Sequence, residues 1–445
     1  MSMEAVSRNE LPLTLQQAFF WRYYLENHVV TFSLRITGSL NAERLRRCGD
    51  ELIRRHDSLR TRVLLIDGVP HQRVEEIGGE PQVQIREMIG VSFENTARDI
   101  LRELIDRRSA MSNGCLFLLQ IVTFSDRESL VIWSIDHAVV DGVSLKLMFT
   151  ELWQLYVQGL TQSHLSLANE TRYSDYAVWQ QTEDCAWRRD DMVYWAQRLR
   201  GAKPIQWSTQ GKPGVVGLIT LPFDPDVAQG LHEFARRRQT LMSMVMLTIF
   251  SVVVCRWCNQ RDFIVPFVID TRDHPGHQTT IGFFSYPLFL RIQITGTETL
   301  FELLKTVTRE FLRALMHPDL GRVAIQKPEM LSGDLFQWCP WDMGEELGVP
   351  TPTEARALGF SAKIFVPERD IVPEKPTVRQ GVQAPFAGVS TAIYENRDGI
   401  RIELLSPTEI FAADDLERFA QNLLATAEMV ARSTEDMVIE GLRAS

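Results

Sequence analysis

This chain of 445 residues has little that would mark a membrane, secreted or nucleotide-handling protein. It contains no run of eighteen or more apolar residues, so no transmembrane helix is expected. Met1 to Glu10 lack the apolar core of a signal peptide, which points to the cytoplasm. There is no Gly-x-x-x-x-Gly-Lys-Ser/Thr phosphate loop, no Gly-x-Gly-x-x-Gly after a strand and no Gly-x-Ser-x-Gly nucleophile elbow. Nucleotide and serine-hydrolase chemistry thereby lose their usual signatures. Basic residues are outnumbered, and the net charge of −10 argues against general nucleic-acid binding. Cysteine is sparse: Cys48, Cys115, Cys185, Cys255, Cys258 and Cys339. Cys255 and Cys258 form a Cys-x-x-Cys, but at the end of a helical stretch, with no second such pair and no nearby His pair. They read as buried free thiols, and no metal site is expected.

What is present concentrates in Ser134-Ile135-Asp136-His137-Ala138-Val139-Val140-Asp141-Gly142-Val143-Ser144. Residues 115–124 and 129–135 read as short β-rich runs around the turn-like Ser125-Asp126-Arg127-Glu128. From 144 to 160 the pattern becomes helical, with Leu145, Met148, Leu152, Leu155 and Tyr156 on one face. His137 therefore falls in a strand-to-helix loop, where a rigid scaffold presents a side chain to substrate. Histidine is the usual general base because its unperturbed pKa of ~6.5 lies near working pH. A histidine placed there without a catalytic role is the competing reading, and the rest of the chain has to arbitrate.

Along the chain, helices are predicted over residues 14–24, 41–56, 93–110, 225–238, 243–257, 298–316 and 413–430, and the stretch 171–202 reads as mainly helical. Strands are predicted over 29–37, 83–87, 263–269 and 284–294, with a hairpin of 389–394 and 399–405. Residues 201–217, rich in glycine and proline, read as the end of a crossover between two lobes, and 349–389 as an irregular excursion. Strands and helices mix without a regular βαβ period, which favours an α+β architecture. The basic runs 44–62 and 236–238 fit either solvated helix faces or a dock for an acidic partner.

Several blocks resemble one family. Pro12-Leu13-Thr14-Leu15-Gln16-Gln17-Ala18-Phe19-Phe20-Trp21 resembles the opening motif of the condensation domains of nonribosomal peptide synthetases. Arg55-His56-Asp57-Ser58-Leu59-Arg60-Thr61-Arg62-Val63 is similar to their RHExLRTxF block, and Asp136 to Gly142 to their HHxxxDG signature at all but its first position. Tyr173-Ser174-Asp175-Tyr176-Ala177-Val178-Trp179-Gln180 is similar to YxDYAxWQ, and Ile281-Gly282-Phe283-Phe284, ending at Leu290-Arg291, to the IGxFVNTxxxR block. The blocks follow family order over residues 12–291. Asp136 replaces the first histidine of HHxxxDG, Ser285-Tyr286-Pro287 replaces Val-Asn-Thr, and residues 317–342 match the remaining blocks poorly.

The resemblance implies a stand-alone condensation enzyme of α+β class, with two chloramphenicol-acetyltransferase-like lobes forming a V-shaped pseudodimer around a central tunnel. The expected division is an N-terminal lobe over 1–175, a connection over 176–217 and a C-terminal lobe over 218–445. His137 is the implied catalytic residue. Asp136, Asp141, Gly142 and Arg272 form its structural motif, with Asp141 pairing to Arg272 and Gly142 clearing room for a ligand. No cofactor is expected on the chain itself. The acyl donor would arrive on the phosphopantetheine arm of a carrier protein supplied in trans, and the acceptor would be an amine or alcohol, free or carrier-bound. A monomer is expected. Trp21, Tyr173 and Trp179 read either as channel lining or as core. Three other functions stay open: an epimerisation domain, an inactive module recruiting a partner, and an acyltransferase using acyl-coenzyme A.

Overall fold

The computed structural model describes residues 10–23, 29–76, 82–106, 116–158, 171–182, 186–207, 215–272, 276–317, 334–339, 350, 358–365, 377–380, 388–396, 399–407, 410–411, 413–433 and 436–439. In chain order the first elements are β1 (Glu10–Pro12), α1 (Leu15–Tyr23), β2 (Val29–Gly38), α2 (Ala42–Arg55), β3 (Thr61–Ile66), β4 (Val69–Val74), β5 (Val83–Glu87) and α3 (Phe93–Asp106). They are followed by β6 (Phe117–Ser125), β7 (Glu128–Asp136), α4 (Gly142–Gln158), α5 (Tyr173–Thr182), α6 (Ala186–Arg198), β8 (Val215–Pro222), α7 (Pro225–Arg237) and α8 (Met242–Trp257). The chain continues through β9 (Asp262–Asp270), β10 (Ser285–Gln293), α9 (Leu300–Leu315), β11 (Leu335–Cys339), β12 (Phe360–Ile364), β13 (Thr377–Gln380), β14 (Ser390–Asn396) and β15 (Gly399–Pro407) to α10 (Ala413–Arg432).

These elements form two compact units of α+β type. The first comprises Met1–Asp184, Asp270–Ser285 and Met343–Val372, and the second comprises Cys185–Ile269, Tyr286–Asp342 and Pro373–Ser445. The units are thus not contiguous in sequence, unlike the expected division at 175 and 217. Two late segments join the first unit because their polar groups pair there. Strand β12 pairs antiparallel with β2, and the stretch around Arg272 bonds to the start of α4.

The first unit is built on a five-stranded sheet of order β12-β2-β7-β6-β5, antiparallel except for the β5–β6 pair. Its centre is the β6–β7 hairpin read from the sequence. Leu130, Val131, Ile132 and Trp133 of β7 are wholly buried, as befits a strand covered on both faces. On one face Leu130 and Ile132 pack with Phe93, Ala97 and Leu101 of α3. On the other, Trp133 meets Phe149 of α4 edge-on at 5.0 Å between ring centroids. Helix α2 starts at Asn41, whose side chain accepts the Arg44 N–H at 2.8 Å. A small sheet, β1-β4-β3, completes the unit.

The second unit carries a seven-stranded sheet of order β10-β9-β11-β14-β15-β8-β13. Helices α7, α8 and α10 pack on one another, and α8 is buried from Ser243 to Val254. Among the described residues no single helix is long and apolar enough to cross a membrane.

The mainly helical stretch 171–202 holds two helices, α5 and α6. Two expectations are corrected. The excursion over 349–389 contributes β12 and β13. Both are short strands at the margin of a sheet, where backbone pairing needs no alternation of apolar residues; in β12 only Phe360 is buried. Strand β8 begins inside the presumed connection. Cys115 and Cys185 lie outside the described residues.

Candidate active site

Strand β7 ends at Asp136 and the chain then makes one 3-10 turn, His137–Val139, before α4 begins at Gly142. Asp136 is buried. Its backbone N–H donates to the Leu116 carbonyl at 2.7 Å, and its side chain accepts the Ala138 N–H at 2.9 Å. An aspartate at that position caps the turn carrying His137, which is how a carboxylate occupies the motif's first histidine position.

His137 is half-buried. Its ring lies 5.4 Å from Phe20 of α1 and 5.0 Å from Phe283, centroid to centroid. Nδ1 is shielded from solvent and has no hydrogen-bond partner among the described residues. Nor does any described carboxylate back this ring as one does in a Ser-His-Asp arrangement.

Asp141 is committed elsewhere. Its Oδ1 accepts the Ser144 N–H at 2.7 Å and Arg272 Nη2 at 2.9 Å, while Oδ2 accepts Arg272 Nη1 and the Phe284 N–H, each at 2.9 Å. All four acceptor positions are filled, so the carboxylate has no lone pair to spare for a substrate proton. The two-point Arg272 contact is the planar fork that guanidinium makes with carboxylate. Arg272 also donates to Asp270 Oδ1 at 2.9 Å and to Ser144 Oγ at 2.6 Å, and lies 4.2 Å over the Phe284 ring. Burial opposes its charge, but the two aspartates outweigh that and hold the guanidinium pKa above its usual value. Ser144 Oγ in turn donates to the Gly282 carbonyl at 2.6 Å and accepts the Gly282 N–H at 2.9 Å. The first turn of α4 is thereby stapled to the 270–285 segment. Gly142 opens α4 and its backbone is not left-handed, so turn geometry does not require glycine there.

The remaining blocks lock onto the same frame. The Asp57 carboxylate accepts the N–H groups of Tyr173 and Ser174 at 3.1 Å each, capping α5. The Tyr173 hydroxyl lies 2.9 Å from Thr14 Oγ1 and donates to the Phe283 carbonyl at 2.8 Å. Burial pushes this phenol well above its usual pKa. Tyr173 is thus core rather than channel lining. A Cβ added at Gly282 would come within 2.2 Å of its ring. Within α4, Glu151 lies 2.7 Å from His56 Nε2 and 2.9 Å from Arg55 Nη1. Burial pushes the Glu151 carboxyl up, but these two partners prevail and hold it below the usual carboxylate range.

The basic run 44–62 is largely neutralised from within. Arg46 pairs with Glu43 and Asp50, and Arg54 and Arg55 pair with Glu51. In α8 and just beyond it, burial raises the thiol pKa of Cys255, and that of Cys258 to about 12. The structure therefore brings Asp136, His137, Asp141, Gly142 and Arg272 into one locality. Sequence reading gave no role to Ser144, Phe20 or Phe283. Each lies inside a quoted block, and only their contacts single them out.

A chain with this frame is a condensation domain. It matches the Condensation domain family over residues 7–337, and it belongs to that family. It is 28% identical over 349 residues to malpinin synthetase of Mortierella alpina, covering 72% of this chain and 4% of that protein. The chain thus spans only a small part of that relative's length. Two solved structures share the fold. SgcC5 from Streptomyces globisporus superposes with a TM-score of 0.75 at 20% identity, covering 96% of this chain and all of that one. The X-domain from teicoplanin biosynthesis, in its complex with OxyB, gives 0.78 at 18% identity, covering all of this chain and 98% of that one.

Proposed function

We propose that this chain transfers an acyl or aminoacyl group from the phosphopantetheine thioester of a carrier protein to an amine or hydroxyl acceptor, making an amide or ester in natural-product biosynthesis. The observation that carries this reading is the intact His137–Asp141–Gly142 motif in which Asp141 is fully occupied by structure. Proton handling is then left to His137. The acceptor nitrogen or oxygen bonds to the thioester carbonyl carbon, the C–S bond breaks, and the acceptor's proton passes through His137 Nε2 to the departing thiolate. For an amine, already nucleophilic when neutral, His137 serves mainly to hold the attacking atom and accept its proton late. Phe20 and Phe283 beside the ring keep water from the thioester. The chain itself contributes no cofactor in this scheme; the pantetheine arm is the substrate's handle.

A second reading is a module that recruits a partner without chemistry. It is favoured by Asp136 in place of the motif's first histidine and by the fold shared with an X-domain captured in complex with OxyB. One experiment separates the two. An acyl-loaded carrier protein, and separately the matching acyl-coenzyme A, is mixed with a panel of amines and alcohols and followed by mass spectrometry. Alcohols belong in the panel because SgcC5 was solved with a diol. Transfer by the wild type that falls about 100-fold or more in His137→Ala supports the enzyme. No transfer with any donor, or equal rates in both proteins, overturns it in favour of the recruiting module.

A further inference from the structure

The turn that carries His137 is held at Ala138 from both sides. The Asp136 carboxylate takes the Ala138 N–H, and the Gln17 side chain donates from Nε2 to the Ala138 carbonyl at 3.0 Å. Gln17 is wholly buried, and its amide has one workable orientation. Its Oε1 accepts the Thr14 N–H at 3.0 Å, so Nε2 is the atom turned to Ala138. Thr14 Oγ1 in return accepts the Gln17 N–H at 3.1 Å, which makes the pair a reciprocal cap at the start of α1. One turn further along α1 is Phe20, whose ring lies against His137. The same short helix therefore fixes the backbone beside His137 through Gln17 and the face of its imidazole through Phe20.

We infer that Gln17 is a positioning residue for His137: its amide couples the start of α1 to the 3-10 turn and sets the direction in which Nε2 points. This inference rests on the proposed acyl transfer for its kinetic reading, but its structural reading stands apart from it. Helix capping alone would be served as well by glutamate, since glutamate and glutamine are interchangeable at the third position of a capping box. Glutamate, however, cannot donate to the Ala138 carbonyl when ionised. It can donate again when protonated.

The test is Gln17→Glu, assayed against wild type across the pH range in which both stay folded by circular dichroism. Coupling predicts a kcat about tenfold or more below wild type in neutral to alkaline buffer, with KM little changed. The ratio of the two rates should close as pH falls and the new carboxyl takes up a proton. In parallel, ¹⁵N-histidine spectra, with the His137 signal assigned by its loss in His137→Ala, should show that signal displaced in the variant and returning at lower pH. A variant that matches wild type in rate and in the His137 signal at every pH overturns the inference, and so does a rate loss that does not change with pH. If the wild type transfers no acyl group at all, the proposed function falls and the His137 signal alone decides the coupling. If Gln17→Glu does not fold, Gln17→Met, which keeps the length and cannot bond the Ala138 carbonyl, replaces it. The inference then requires a shifted His137 signal with kcat reduced and KM retained, and an unmoved signal rejects it.

Discussion

Replacing Arg272 by methionine should be among the most damaging single changes in the first unit. Methionine keeps much of the length and removes the fork. Asp141 would stay buried with only the Ser144 and Phe284 N–H groups to hold its charge, because both Arg272 contacts at 2.9 Å would be gone. Removing one partner of a buried ion pair costs about 3–5 kcal/mol, because the other charge is stranded. For a urea slope of about 1–3 kcal/mol per molar, that lowers the unfolding midpoint of this unit by on the order of 2 M. Arg272→Lys should fall between, since an ammonium restores charge without the two parallel bonds.

A double-mutant cycle with Asp141→Leu isolates the pair. The double variant no longer buries a lone charge, but it orphans the Ser144 and Phe284 N–H groups, at about 1–3 kcal/mol each. It should therefore remain less stable than wild type, yet more stable than the sum of the single changes by about 2 kcal/mol or more. Tryptophan fluorescence in urea reads all four corners; Trp133 and Trp153 are buried in the first unit. An Arg272→Met midpoint within about 0.3 M of wild type, or a coupling energy near zero, would refute the claim that this ion pair holds α4 to the 270–285 segment.

Other changes test the frame at separate points. Gly282→Ala drives a methyl to 2.2 Å from a Tyr173 ring that is pinned by its hydroxyl, so a loss of about 3 kcal/mol or more is expected by urea titration, with Tyr173→Leu in the same chain recovering part of it. Asp136→Ala removes the cap on the Ala138 N–H and should cost about 0.5–2 kcal/mol, whereas Asp136→Asn, which keeps an acceptor oxygen, should stay closer to wild type. Stability should also fall in acid. Glu151 is held below the usual carboxylate range against its burial by His56 and Arg55, and Glu51 is held at about 2, chiefly by its Arg54 hydrogen bond. Groups depressed in the fold contribute their full stabilisation above the unfolded value of about 4.3 and lose it as pH drops through the folded value. Urea midpoints should therefore decline between about pH 4.5 and pH 2, and Glu151→Gln should remove part of that slope. A pH-independent midpoint over that window contradicts the assignment.

The hairpin of β6 and β7 and the helix after it were legible because their signals are local. An apolar run, a four-residue turn and a helical stripe lie next to one another in sequence. What holds His137 in place was only partly legible, because its partners are far away along the chain. Gln17 lies 121 positions from Ala138, and Arg272 lies 131 from Asp141. The resemblance to a known family suggested the second contact, since an arginine recurs there. Nothing in composition or spacing could suggest the first. Strands β12 and β13 were missed for a related reason: in short marginal strands the backbone pairing leaves no periodic trace.

The blocks that carry the resemblance look independent in sequence, but in the structure they act on one another. The first supplies Thr14, Gln17 and Phe20; the second supplies Asp57, which caps the helix of the fourth; the fourth supplies Tyr173, whose hydroxyl bonds back to the first block and forward to the fifth. The fifth supplies Gly282 and Phe284 to Ser144 and Asp141, and Phe283 to the imidazole itself. Many polar groups of these blocks thus bond to one another around the turn that carries His137. Substitutions across the blocks should therefore share one phenotype, a His137 that is present but misdirected, graded by how directly each residue touches the turn.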